Sequence, residues 1–167
     1  MRISNEGGFS LAETVVALGV LTTGVIGAAS VLVAGMQKLS SSPGDVIAAQ
    51  KASQAIESVY AARDSKRLTW AQINNASSGG VFLDNFQSLY WPGADGLVGT
   101  ADDVAAGLEQ IDLPGQTIKL ATYKRQIQIA DVPGENGNLR KVTVTVTFQD
   151  GPNTRTYVLV TYISSFA

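Results

Sequence analysis

GGFSLAETVVALGVLTTGVIGAASVLVAGM, residues 7–36, sets one carboxylate, Glu13, at the mouth of a long apolar run. From Thr14 to Met36 there are 23 residues without Asp, Glu, Lys or Arg. At about 1.5 Å per helical residue they extend roughly 34 Å, enough to cross a hydrocarbon core of roughly 30 Å. Glu13 lies inside the segment that inserts, and a lone charge there costs a few kcal/mol (about 3 on insertion scales). Such a residue calls for a partner.

Composition limits what the rest of the chain does. With 167 residues, 45% hydrophobic and 16% charged, it suits one membrane segment plus one modest domain. A net charge of -2 and a pI near 5.0 supply no basic field, so no nucleic-acid partner is expected. The absence of Cys and His removes thiolate nucleophiles, disulfides, zinc-thiolate sites and the commonest general base. No catalytic set is assembled: the adjacent carboxylates Asp102 and Asp103 sit in a Gly-rich turn, and the expectation is that the protein is not an enzyme. Carboxylate-only hydrolysis is the one enzymatic chemistry left open.

The leader MRISNEGG carries Arg2 and the start amine against Glu6, a small positive bias that keeps the N-terminus cytoplasmic. A cleaved secretory signal, with Ala28-Ala29-Ser30 as its weak peptidase site, is an alternative, but its apolar core would run only about 7–15 residues. A plain single-pass anchor is another. Gly8-Phe9-Ser10-Leu11-Ala12-Glu13 followed by the apolar run resembles the leader junction of type IV pilins and type II secretion pseudopilins, over about the first 36 residues. The resemblance implies cleavage by a prepilin peptidase after Gly8, N-methylation of Phe9, and a role in assembly for Glu13. In that family the glutamate meets the N-terminal amine of a neighbouring subunit. The chemistry is sound, because cleavage creates an amine at Phe9 and pairing offsets much of the cost of an inserted carboxylate.

Gly19, Thr23, Gly27 and Gly35 form a stripe of small residues along the apolar helix, residues 9–38, which permits close packing against other helices. Ser40-Ser41-Ser42-Pro43-Gly44-Asp45 reads as a break, with Asp45 capping a second, amphipathic helix within residues 39–63. Its apolar side takes Val46, Ala49, Ala52, Ile56, Val59 and Tyr60; Lys51, Gln54, Glu57 and Ser58 take the polar one. In the resembled family these pieces form one long helix, so the break is a departure.

Residues 64–116 read as a variable loop, with a short helix near Thr69–Asn74 and Tyr90-Trp91-Pro92 as a satellite apolar cluster under the loop or an exposed aromatic contact. Gly93 to Asp103 is rich in Gly and Asp. Asp95, Asp102 and Asp103 are candidate ligands for calcium, a hard cation that takes several oxygens from a flexible backbone; turn chemistry alone also accounts for the composition. The spacing is not that of an EF-hand. In the last third, residues 117–167, Ile118–Ile129 alternates with Tyr123, Arg125, Ile127 and Ile129 on one side. Leu139–Phe148 alternates with Val142, Val144, Val146 and Phe148. Thr156–Ile163 is apolar on both faces, which predicts a central or helix-covered strand.

The expected fold is α+β: an N-terminal hydrophobic helix, then an amphipathic helix packed on an antiparallel sheet of at least three strands. The expected function is that of a structural minor subunit of a type IV pilus or a type II secretion pseudopilus. Gly24-Val25-Ile26-Gly27 and Ala52–Ser58 look more like minor pilins of the pilus-modification type than major subunits; a DNA-uptake pilin stands third. Its partners are then the prepilin peptidase, other pilins or pseudopilins, and the bacterial inner membrane, with the C-terminal domain periplasmic or extracellular. The alternative is a calcium-stabilised binding module, anchored or secreted.

Overall fold

The computed structural model describes residues 10–166. The leader, residues 1–8, together with the expected cleavage pair Gly8 and Phe9, lies outside the described residues. The chain divides into two compact units, Met1–Ser42 and Pro43–Ala167.

Helix α1 spans Leu11–Asp64. The expected break at Ser40–Asp45 is corrected here: the backbone stays helical through it, with Pro43 inside the helix. A proline in a helix interior costs one hydrogen bond and about 3 kcal/mol, which lowers helical stability there without forbidding the helix. The division between the two units falls at that proline. Gly44 has a separate reason to be glycine. A Cβ there would lie 2.6 Å from Cε2 of Phe148, so its bare backbone makes room for an aromatic ring of the sheet.

In the second unit a four-stranded antiparallel sheet has the order β1 (Gln87–Ser88), β4 (Lys124–Asp131), β5 (Leu139–Asp150), β6 (Asn153–Ser164). A separate hairpin pairs β2 (Gln110–Leu113) with β3 (Gln116–Lys119), and a single helical turn, α2, covers Asp103–Ala106. Strands β4, β5 and β6 form the expected meander. Val142, Val144, Val146 and Phe148 are buried, and the residues between them are not, as alternation dictates.

The part of α1 from Pro43 onward lays an alanine stripe into the core. Ala48, Ala52, Ala55, Val59 and Ala62 are buried together with Ile127, Ile129 and the β5 valines. The expected face holds at Ala52, Ile56 and Val59, which are buried, and at Tyr60, which packs against the core; it fails at its start, where Val46 is 52% exposed and Ala49 only half-buried. Small side chains allow backbone and sheet to approach, so the alanines, not the largest apolar residues, mark the face.

Three further expectations are corrected. The helix near Thr69–Asn74 is a single turn, closed by Thr69, whose backbone N–H and hydroxyl both donate to Gln72 Oε1 at 2.9 Å; a 3-10 turn follows at Ala76–Ser78. The strand Ile118–Ile129 is two strands, β3 and β4, separated by a turn in which Tyr123 N donates to Leu120 O. Leu120 is fully buried there, so the chain folds over itself to bury it. The segment Thr156–Ile163 belongs to β6, which lies at the sheet edge and not at its centre. Val158, Val160 and Tyr162 are exposed on its outer face.

Candidate functional site

The apolar half of α1 begins with a cap. Ser10 precedes the helix, and its hydroxyl accepts from Glu13 N at 3.2 Å, while Thr14 N reaches Ser10 O at 3.1 Å. Ser10-Leu11-Ala12-Glu13 is thus an S-x-x-E capping sequence. A carboxylate in the first turn also favours the positive end of the helix dipole. Glu13 therefore has a local role beside the assembly role the sequence suggests, and Ser10 is a contributor that the motif's own Ser-x-x-Glu spacing signals.

Beyond the cap, Leu11–Met36, 26 residues, is long and apolar enough to cross a membrane, with a mean hydropathy of 2.2 over an 18-residue stretch. A membrane anchor and a signal sequence share this property. Every residue from Ser10 to Met36 is exposed. The small-residue stripe is likewise open: a Cβ built at Gly19, Gly27 or Gly35 meets nothing within 4 Å. Thr23, in the same stripe, turns its hydroxyl back to Gly19 O at 3.1 Å and Val20 O at 2.9 Å. That satisfies its polar group within the helix and leaves an apolar, close-packing face.

Neither family models, nor characterised proteins, nor solved structures match the chain. Function rests on the chain's own chemistry.

The second candidate is the Asp/Gly loop, where the structure does bring Asp95, Asp102 and Asp103 together, with one carboxylate oxygen of each inside 4.8 Å of the others. Those oxygens are already engaged. Asp103 accepts from Gly99 N at 2.6 Å and Gly93 N at 3.1 Å, and the Thr100 amide and hydroxyl both reach it at 3.3 Å. Asp102 accepts from Thr100 Oγ1 at 2.7 Å and Asp95 N at 3.1 Å, and Asp95 accepts from Leu97 N at 2.8 Å. Gly99 holds φ +87°, and a Cβ there would strike the Ile127 side chain, so both conformation and space require glycine.

The loop is stitched by its aspartates before any cation enters. A cation would draw on the remaining lone pairs of the same oxygens, which suits calcium's tolerance of mixed and shared ligands. Burial pushes the Asp103 carboxyl up from its ordinary value, against the pull of the Gly99, Gly93 and Thr100 amides and of Arg125. Asp102 is held below its ordinary value, chiefly by the Thr100 hydroxyl.

Behind the loop lies a set of charges that the periodicity announced only in part. Arg125 takes the buried face of β4 and is 4% exposed. Burial disfavours its charge, opposed by Glu109 and then Asp103. Its Nη1 has no hydrogen-bond partner among the described residues, and the residue lines a cavity of about 10 Å³ together with Asp103, Thr100 and Tyr90. Glu109 is 1% exposed and forms an ion pair with Lys51 of α1. That contact is close but not aligned as a hydrogen bond. The Lys51 ammonium also lies 5.9 Å from the centroid of the Trp91 ring, itself 42% exposed. Alternation had placed Arg125 among Tyr123, Ile127 and Ile129, and a buried cation requires a counter-charge. Glu109 sits in the stretch without periodicity, so nothing singled it out.

Proposed function

We propose that the chain is a structural minor subunit of a type IV pilus or type II secretion pseudopilus, cut and N-methylated by prepilin peptidase and assembled through its N-terminal helix. The observation that carries this reading is the pairing of Gly8-Phe9 and Glu13 with a helical segment whose described residues are all exposed. Such a surface asks for lipid or other helices around it. The α+β second unit, a helix on an antiparallel meander, supports a pilin-like fold. Residence in the bacterial inner membrane, with a cytoplasmic N-terminus and the C-terminal unit outside, follows from the same reading. Glu13 then answers the new amine of a neighbouring subunit's Phe9, and the stripe Gly19, Thr23, Gly27, Gly35 lets the helices pack.

Co-expression with and without prepilin peptidase, followed by mass spectrometry of the N-terminus, tests it. A methylated Phe9 as the first residue is the expected result. An intact Met1, or a cut near Ser30, overturns the reading. Glu13→Leu is expected to leave processing in place and to abolish incorporation into filaments.

One observation favours a second reading, the anchored or secreted calcium-stabilised binding module: the convergence of the Asp95, Asp102 and Asp103 carboxylates. Under it, added calcium raises the melting temperature of the wild-type chain and leaves Asp102→Asn unmoved. An unchanged wild-type melt on adding calcium or chelator removes that reading.

A further inference from the structure

Strand β6 carries the sequence of a covered strand at an uncovered edge. From Thr156 to Phe166 it has no charge, proline or glycine, whereas exposed edges are normally blunted by such residues. On the opposite side of the sheet β1 covers only Lys124 and Arg125 of β4, and Asn75 takes up the next outward groups, Ile127 O and Ile129 N. In the small second sheet, β2 and β3 carry Asp112 and Lys119. Among the described residues, β6 is the one long edge without protection.

Its hydrogen-bonding groups can be assigned from the ladder. Val132 N donates to Leu139 O at 2.9 Å, so Leu139 turns its backbone toward β4. Ser164, which stands opposite Leu139, accordingly turns its own backbone away from β5. Alternation carries this to every even-numbered residue of the strand. At one end the edge is used within the chain: Tyr60 Oη donates to Tyr162 O at 3.1 Å and Arg63 to Ser164 O at 3.5 Å. Further along, the outward N–H and C=O groups of Thr156, Val158 and Val160 have no partner among the described residues. The side chains of the same residues stand on the solvent face, Val158 52% and Val160 45% exposed.

We propose that this edge pairs with β6 of a second copy of the chain, antiparallel and about a two-fold axis at Leu159. An isologous contact needs a patch complementary to itself, and this strand reads almost alike in both directions: Thr-Tyr-Val-Leu-Val-Thr-Tyr, residues 156–162. With the axis at Leu159, Val158 faces Val160 of the other copy. Both residues turn their backbone outward, so this register closes hydrogen bonds, whereas a shift by one residue would not. β-branched residues meet across the axis, and no charge meets another or is buried. The contact is short, because Tyr60 takes the next carbonyl. Confinement of both copies to one membrane supplies the effective concentration that a short contact needs. The pairing itself uses only the second unit and does not depend on processing at Gly8.

The chain's lack of cysteine makes the register directly testable. Full-length Val158→Cys and Val160→Cys chains are reconstituted in lipid vesicles, separately and as an equal mixture, and oxidised. Opposed residues of a hydrogen-bonded pair have Cα atoms about 5.5 Å apart, within disulfide range. The mixture is expected to give several-fold more disulfide dimer than either chain alone, and Val158→Pro added to the Val160→Cys chain, which removes an outward N–H of the contact but no bond to β5, is expected to lower that yield. Should that variant unfold by circular dichroism, Val158→Lys in the same chain takes its place, setting a charge on the paired edge opposite Val160 of the other copy. No dimer in the mixture, or equal yields from all three samples, overturns the proposal. In cell membranes, cross-linking of Val158→Cys to a different protein in place of this chain overturns the choice of a second copy.

Discussion

At the scale of single residues, two positions set opposing effects against each other with magnitudes that decide the outcome. Gly44→Ala gains about 1 kcal/mol of helix propensity. It also drives a methyl into Phe148, and overpacking costs about 1–3 kcal/mol. The ring cannot swing aside freely, because it stacks on Tyr123 with centroids 5.1 Å apart and planes 11° off parallel. The substitution is therefore expected to destabilise the second unit by about 1 kcal/mol, read as a melting temperature lower by a few degrees. Asp102 decides a pH effect. Its folded value is depressed, so its stabilising contribution is present above the ordinary value of 3.8 and is lost as pH falls through and below it. Asp103 acts in the opposite direction, since its raised value opposes ionisation in the fold and penalises stability as pH climbs past 3.8. Asp102→Asn should flatten the acid limb of a melting-temperature profile below 3.8; an unaltered limb counts against this assignment. The carboxylate cluster was legible from composition. Its saturation by amides was not, because hydrogen bonds between a side chain and a distant backbone leave no periodic trace.

At the scale of elements, what the sequence shows depends on whether burial is periodic. Strand β5 was legible to within two residues because Val142, Val144, Val146 and Phe148 alternate with threonines against a single core face. Strand β6 runs from Asn153 to Ser164, beginning three residues before the expected Thr156, and its place was missed, since apolar residues on both faces mark a strand that is meant to be covered without saying by what. The helical course of α1 through Pro43 was hidden by local signals, and Ala48, Ala55 and Ala62 on its buried face by their small size. The loop between Asp64 and β1 was illegible for a different reason: it is held by single polar side chains. Arg140 donates to Ile73 O at 2.7 Å and to Trp70 O, pairs with Asp131 at 2.7 Å, and lies 4.4 Å from the Trp70 ring centroid. Asn75 bridges Phe82 O at 3.3 Å, Ile127 O at 2.8 Å and Ile129 N at 2.7 Å. Arg140→Ala leaves two carbonyls without their charged donor and should cost about 3 kcal/mol. Hydrogen exchange should accelerate at residues 70–82 well before it does in β5, which locates the loss in the loop and not in the sheet.

At the scale of the whole molecule, two units of different surface character share one helix. The first exposes an apolar surface throughout Leu11–Met36, and the second has a closed core from Ala48 to Ile163. Deleting residues 1–42 should therefore yield a soluble fragment that melts cooperatively, with its sheet content by circular dichroism unchanged; aggregation or non-cooperative melting would show that the core is incomplete without the first unit. That core also joins distant parts of the chain, because Gly44 packs on Phe148 and Tyr60 bonds to Thr161, 101 positions away. The meander from β4 to β6, by comparison, closes through hairpins that need few residues to turn. Loop-closure entropy favours the hairpins first and the docking of the helix last. Substitutions at Val144 should slow refolding, whereas Ala52→Gly should chiefly speed unfolding. In a cell, the part of α1 that the ribosome releases early would then wait, with its alanine face bare, until the last strand has been made.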